Sequence, residues 1–195
     1  PFRSATARRW SCVDKANIFR SLAFFRKVFT EVAEREYPAI GRNYALIDAL
    51  SLAIIQNPSA YDVLVMENMF GDILSDLAAA LNGGLGMAPS GDIGDRHGLF
   101  QPSHGPAPTI AGKGVANPLA TILSAKMMLE WLGSRHGDAL ATQGAELIER
   151  AVCEVTASGL VTPDLGGKAR TAEIGDAVAD AVRRLSRSGH AGSAS

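Results

Sequence analysis

Apolar positions along the chain follow two rhythms. The run Tyr61-Asp62-Val63-Leu64-Val65-Met66 is short, apolar and β-branched, as expected of a strand buried in a parallel sheet. From Asp72 the spacing changes to Leu74, Leu77, Ala78 and Leu81, one face of a helix that Asn82-Gly83-Gly84 stops. The same succession occurs twice upstream. Trp10 to Val13 reads as a short strand, and beyond Asp14-Lys15 the positions Ile18, Phe19, Leu22, Phe25, Val28, Phe29 and Val32 mark an amphipathic helix that Tyr37-Pro38 ends. A second extended run, Tyr44 to Ile47, leads through Asp48 into a helix closing at Asn57-Pro58. Downstream, Asn117-Pro118 supplies a cap and a first helical position for Leu119, Ile122, Leu123, Met127 and Leu132, and the helix is predicted to stop at Gly133. Further helices are predicted over roughly 143–157 and from Thr171, read as a cap, through the stripe Ile174, Ala177, Val178, Ala181, Val182 and Leu185. Strands alternating with helices predict an α/β fold.

Glycine modifies this picture. Nine of the twenty glycines lie between Gly83 and Gly114, so that region is expected to be loop-dominated, with backbone free to approach a ligand. At the ends, 1–12 is expected to be irregular, and the Ser/Gly/Ala-rich 186–195 to be a disordered tail. Between them, 13–82 and 83–185 read as two lobes. A chain of 195 residues, 47% hydrophobic and 20% charged, can bury a core, and a net charge of −1 gives no electrostatic footprint for nucleic acid. No apolar run reaches membrane-spanning length. Cys12 and Cys153 are the only cysteines, too few for a disulfide scaffold or zinc site, which makes a reducing cytoplasm the default. The chain opens on Pro1 rather than Met, as a fragment or a processed product would.

Candidate chemistry sits where strands give way to helices. Lys15, Asp48 and Asp72 occupy three successive junctions, and if the strands are parallel all three lie on one rim of the sheet, where open α/β folds bind ligands. Asp72 is expected in the first turn of its helix with Asp76 one turn further along the same face. Two carboxylates this close repel unless a cation lies between them, and hard Mg²⁺ or Mn²⁺ takes such oxygen ligands. Each position also has a plain structural explanation: a surface lysine, a helix cap, an acidic first turn complementing the helix dipole. The segment from His104 to Asn117 carries neither GxGxxG nor P-loop spacing.

Four motifs together make the chain resemble the β-decarboxylating dehydrogenases: Val13-Asp14-Lys15-Ala16-Asn17, Glu67-Asn68 to Asp76, His104-Gly105 to Asn117-Pro118, and Pro163-Asp164-Leu165-Gly166-Gly167. The likeness runs from about Val13 to Leu185 and covers the C-terminal half of that family's two-lobed fold. It implies that 13–82 belongs to a central dimerisation and metal-binding lobe and 83–185 to the cofactor-binding lobe. It implies Lys15 as the base for a substrate 2-hydroxyl, a role that requires an environment lowering the lysine pKa. Asp48, Asp72 and Asp76 become the ligands of Mg²⁺ or Mn²⁺, with Lys15 and Asp48 serving the metal site of the other subunit of a homodimer. Asn17 falls near the nicotinamide end of the cofactor, and His104, Gly105, Ala107, Pro108, Thr109 and Asn117 in the adenosine-binding loop, Asn117 close to the adenine. The implied activity is NAD-dependent oxidative decarboxylation of a 3-substituted malate, 3-isopropylmalate first, with tartrate or homoisocitrate as alternatives.

Two departures qualify the resemblance. Thr109 stands where NAD-using members carry an aspartate for the adenosine ribose, although Ile110 also breaks the Lys-Tyr pair of NADP-using relatives. Upstream of Cys12, Ala7-Arg8-Arg9-Trp10 replaces an apolar strand, and the half that holds the substrate-clamping arginines and a catalytic tyrosine has no counterpart. The chain by itself is therefore expected to fold poorly and turn over negligibly. A non-catalytic dimerisation or regulatory subunit and an unrelated Mg²⁺-dependent phosphotransfer enzyme are the competing classes.

Overall fold

The computed structural model describes residues 9–191, with side chains to Ser188; the segments 1–8 and 192–195, expected to be irregular and disordered, lie outside the described residues. Contacts divide the chain into two compact units, one ending at Leu81 and one beginning at Asn82.

The first unit is built on a three-stranded sheet in the order β2-β1-β3, from β1 (Arg9–Asp14), β2 (Gly41–Leu46) and β3 (Val63–Val65). Both pairings are parallel: Trp10 lies opposite Arg42 on one side and Val63 on the other. The short strand read at Trp10 to Val13 is therefore the central one, lengthened to Arg9–Asp14, and 9–12 do not belong to an irregular end. Ser11, Cys12, Val13 and Asp14 are buried, because β1 alone has a neighbour along both edges. Each strand is followed by a helix: α1 (Arg20–Glu36), α2 (Ile47–Gln56) and α3 (Asn68–Ala79). Val13, Leu50, Ile54 and Leu74 form the core, with Ala45, Ile47, Leu64, Met66 and Leu77 packed around it.

The apolar stripe of α1 is not enclosed. Ala33 is its one buried residue, whereas Phe19, Phe24 and Val28 are exposed and flank an apolar groove with Leu22, Phe25, Met69 and Phe70. Leu52 and Ile55 on α2, and Met69 and Ile73 on α3, are exposed as well. The helical spacing correctly marks a face that seeks cover, yet the described residues do not provide it.

The second unit holds a hairpin and three long helices. Strands β4 (Pro89–Ile93) and β5 (Gly98–Pro102) pair antiparallel inside the region expected to be loop. Their glycines and prolines mask the period-two pattern, and what holds them is cover from elsewhere: Phe100 packs against Trp131, 5.9 Å between ring centroids. Helix α4 (Leu119–His136) runs past Gly133 and ends at Gly137 in the left-handed conformation, and α5 (Ala139–Ala157) starts earlier than 143 because Asp138 caps it, accepting from the Leu140 and Ala141 N–H groups. Helix α6 (Thr171–Ala191) continues beyond Ser186, where a disordered tail is expected. Once Leu185 is anchored in the core, each further residue adds a backbone hydrogen bond at little cost. Leu119, Ala151, Val155, Ile174, Val178, Ala181 and Leu185 make this unit's core.

Candidate functional site

Because β1, β2 and β3 are parallel, their carboxyl ends share one edge, and Lys15 follows β1 directly. Asp48 is the second residue of α2, not its cap; Leu46 holds the cap position without a side-chain bond. The Lys15 Nζ and an Asp48 carboxylate oxygen are 2.6 Å apart. The lysine stem is largely covered, with 17% of its side chain exposed against 64% for Asp48, so the pair projects from a packed base into solvent. The Lys15 ammonium, hydrogen-bonded to it, holds the Asp48 carboxyl below the usual carboxylate range.

The expectation for Asp72 needs correction. Helix α3 starts at Asn68, because the Glu67 carboxylate accepts from the backbone N–H groups of Met69 (3.1 Å) and Phe70 (3.2 Å) and caps it. Asp72 thus lies in the second turn, beyond the reach of the terminal dipole, which removes the acidic-first-turn explanation for it. Asp72 and Asp76 remain four residues apart on one face, both exposed and without an ion-pair partner among the described residues. Such an unneutralised pair of hard oxygen donors suits a divalent cation. Asp48 is not gathered with them: no group of three metal-ligating side chains occurs among the described residues.

Beside Lys15 lies a group that spacing does not reveal. Asp14 is fully buried and ion-paired with Arg26 at 2.7 Å, while its Oδ1 also accepts the Ala16 N–H at 2.8 Å. Burial alone would raise the Asp14 pKa, but the Arg26 hydrogen bonds and the Ala16 N–H outweigh it and hold the carboxyl below its ordinary value. Burial, with Asp14 nearby, pushes the Cys12 thiol up to about 12.

The glycine-rich loop lies in the second unit. His104 Nδ1 is 2.9 Å from the Gly105 carbonyl oxygen, Ala107 is left-handed at φ 44°, and Pro108–Ile110, with Thr109 at its centre, forms one short 3₁₀ turn. A left-handed alanine costs about 1–2 kcal/mol, and such strain collects at ligand clamps. At the loop's end Asn117 is held from both sides: its Oδ1 accepts the Leu119 N–H at 3.0 Å, and its Nδ2 donates to Asp164, also at 3.0 Å. Asp164 is 47 positions away, too far for any local pattern to pair them. Thr171, expected to cap α6, is its first residue, and its hydroxyl donates to the Ala116 carbonyl; the Arg170 N–H donates to Glu173 instead. Asn17, after Lys15, is exposed in the turn before α1.

This arrangement has relatives. The chain is 51% identical over 89% of its length to a 3-isopropylmalate/3-methylmalate dehydrogenase of Methanocaldococcus jannaschii, and 43% identical over 91% to a homoisocitrate dehydrogenase of the same organism. It covers 50% and 49% of those two proteins, so it spans about half the length of the curated relatives it matches. Among solved structures, the isocitrate dehydrogenase of Methylococcus capsulatus superposes with a TM-score of 0.81 at 43% identity, over 93% of this chain and 52% of that one. Residues 2–178 match the isocitrate/isopropylmalate dehydrogenase family, and the chain belongs to it.

Proposed function

We propose that the chain carries the lysine and metal-binding part of an enzyme that oxidatively decarboxylates a 3-substituted malate with NAD, 3-isopropylmalate first. The observation that carries this reading is the Lys15–Asp48 pair at the carboxyl rim of a parallel sheet, in the unit that also presents Asp72 and Asp76. Lys15, in its neutral amine form, is the base that takes the proton of the substrate 2-hydroxyl as the carbinol carbon is oxidised. Its covered stem limits the positions the amine can reach, so the proton is accepted at one fixed place. Mg²⁺ or Mn²⁺, held by Asp72 and Asp76 with Asp48 offered by a second copy, would supply a Lewis acid for the hydroxyl and for the enolate left by CO₂. NAD, for which the loop from His104 through Gly105, Ala107, Pro108 and Thr109 to Asn117 offers the adenosine end a place, would supply the hydride acceptor.

The second copy has physical support in the open faces of α2 and α3. Of the apolar helix face from Leu74 to Leu81, Leu74 is buried in the unit's own core while Leu81 is exposed, as are Leu52, Ile55, Met69 and Ile73. A partner helix pair would remove them from water at about 25 cal/mol per Å². Homoisocitrate is the second substrate reading, favoured by the 43% identical relative.

The test is turnover with Mn²⁺, NAD and 3-isopropylmalate or homoisocitrate, for the chain alone and for the chain joined to the amino-terminal half of the M. jannaschii relative. The joined protein is expected to reduce NAD at roughly 1 per second or faster, and Lys15→Ala to abolish it. Mn²⁺ titration of the chain and of Asp76→Asn checks the metal assignment separately: equal affinities would refute it, as unaltered turnover in Lys15→Ala would refute the base.

A further inference from the structure

We propose that Asp14 and Arg26 are positioning residues that hold Lys15 against Asp48, an inference that rests on reading Lys15 as the reacting amine. Asp14 is the last residue of β1, with none of its surface in solvent. Burying a carboxylate is costly, and a buried ion pair is seldom more stabilising than apolar residues of equal volume. Stability therefore does not explain a charge at this position, whereas orientation does. Asp14 Oδ1 accepts the Ala16 N–H at 2.8 Å, closing a turn whose central residue is Lys15. The same carboxylate receives Arg26 Nε and Nη2, each at 2.7 Å, in a two-point contact that fixes its plane. On the far side, the Lys15 carbonyl accepts the N–H groups of Ile18 and Phe19 at 3.0 Å. The lysine backbone is thus held before and after its Cα.

The clamp also reaches the strand that leads to Asp48. Arg26 lies over the Tyr44 ring, 5.3 Å from its centroid, and the Tyr44 hydroxyl meets Thr30 Oγ1 at 2.8 Å, one turn along α1 from Arg26. Tyr44 belongs to β2, and Asp14 is in register with Leu46, the last residue of that strand. The two strand ends that deliver Lys15 and Asp48 are therefore fixed to one another through Asp14 and Arg26. Neither clamp residue touches Asp48, so the effect passes through the placement of Lys15.

The experiment uses a water-soluble carbodiimide on the 195-residue chain, which joins an amine and a carboxylate only where they already touch. Mass spectrometry of the digest reads the Lys15–Asp48 crosslink, and the Lys126–Glu130 contact at 2.7 Å, in the other unit, serves as internal standard. Asp14→Asn and Arg26→Gln are expected to lower the Lys15–Asp48 yield roughly tenfold relative to the standard, since a displaced partner loses effective molarity steeply. Arg26→Lys keeps the charge without the fork and is expected to restore part of the yield. An unchanged yield in Asp14→Asn with a cooperative thermal melt overturns the proposal; should Asp14→Asn not fold, an unchanged yield in Arg26→Gln does so. In the active joined protein, Asp14→Asn is expected to lower kcat roughly 10- to 100-fold with KM nearly constant. If Lys15→Ala leaves turnover intact, the reading of Lys15 fails, while the crosslink still decides whether the clamp positions it.

Discussion

Replacing Gly167 by alanine is expected to be among the most damaging single changes in the second unit. A Cβ at Gly167 would stand 1.9 Å from the Val161 carbonyl oxygen and 2.6 Å from its carbon, against about 3.3–3.6 Å for an ordinary C–H···O contact. The obstacle is backbone, which has no rotamer to escape into. Moving it means opening the turn in which Thr162 O accepts the N–H groups of Leu165 and Gly167 and Val161 O accepts that of Ala169. Two of these bonds lost, at about 1 kcal/mol each, together with about 1–3 kcal/mol of overpacking around buried Thr162 and Ala169, give a cost of about 3–5 kcal/mol. That is a large part of a margin of about 5–15 kcal/mol. Gly166→Ala separates conformational from steric cost: Gly166 is left-handed at φ 82° with nothing within 4 Å, so the expected loss is about 1–2 kcal/mol. Gly175→Ala, in open space within α6, is expected to stabilise by up to about 1 kcal/mol. Urea melts followed by Trp131 fluorescence in a Trp10→Phe background report on this unit. A Gly167→Ala midpoint equal to that of Gly166→Ala, at constant slope, would refute the steric argument.

Three further outcomes are expected. Cys153, exposed, should react with a maleimide at pH 8 while buried Cys12, with its pKa near 12, stays protected until the unit unfolds; the raised value also means that the stability it contributes is whole below the unfolded thiol pKa and is lost as pH rises toward 12, which an alkaline melt series checks against Cys12→Ala. Asp14 has the opposite sign: its lowered pKa contributes stability above the unfolded aspartate value of about 3.9 and loses it as pH falls through the folded value, so Asp14→Asn should flatten the acid side of the pH–stability profile. Gly86→Ala would bring a Cβ within 2.5 Å of the Asp164 carboxylate and 3.0 Å of Asn117 Cβ and Nδ2, so the Asn117–Asp164 bond must shift and calorimetry should find the NAD binding proposed above weakened.

The parallel strands and the helices that follow them were legible in the sequence because apolar spacing reports which way side chains must face. The run around Val63–Val65 and the stripe through Leu74 and Leu77 lie where the pattern puts them. Spacing does not report whether cover is present, so the α1 stripe could be recognised but not its exposure. The β4–β5 hairpin was hidden because Gly91 and Gly98 sit under Phe100, and that support comes from tertiary packing and not from local pattern. The start of α3 is hard to read from sequence because Glu67, a less common cap than Ser, Thr or Asp, marks it. In the candidate site, the rim logic put Lys15 and Asp48 on one edge, yet neither their contact nor the pairing of Asp14 with Arg26 follows from residue order. Both depend on the register of β1 with β2.

The central place of β1 has a kinetic consequence. It precedes both of its partners in the chain, so Trp10 must wait for Val63 before its second edge can close, and loops of that length make long-range pairing slow. Meanwhile a strand destined for full burial, Ser11 to Asp14, has two open edges and an unpaired carboxylate. The helices α4, α5 and α6 pack on their neighbours in chain order and face no such delay. The unit that comes later in the chain is thus the one that can fold first, and the interval of greatest exposure to aggregation falls on the strand that carries Lys15 at its end.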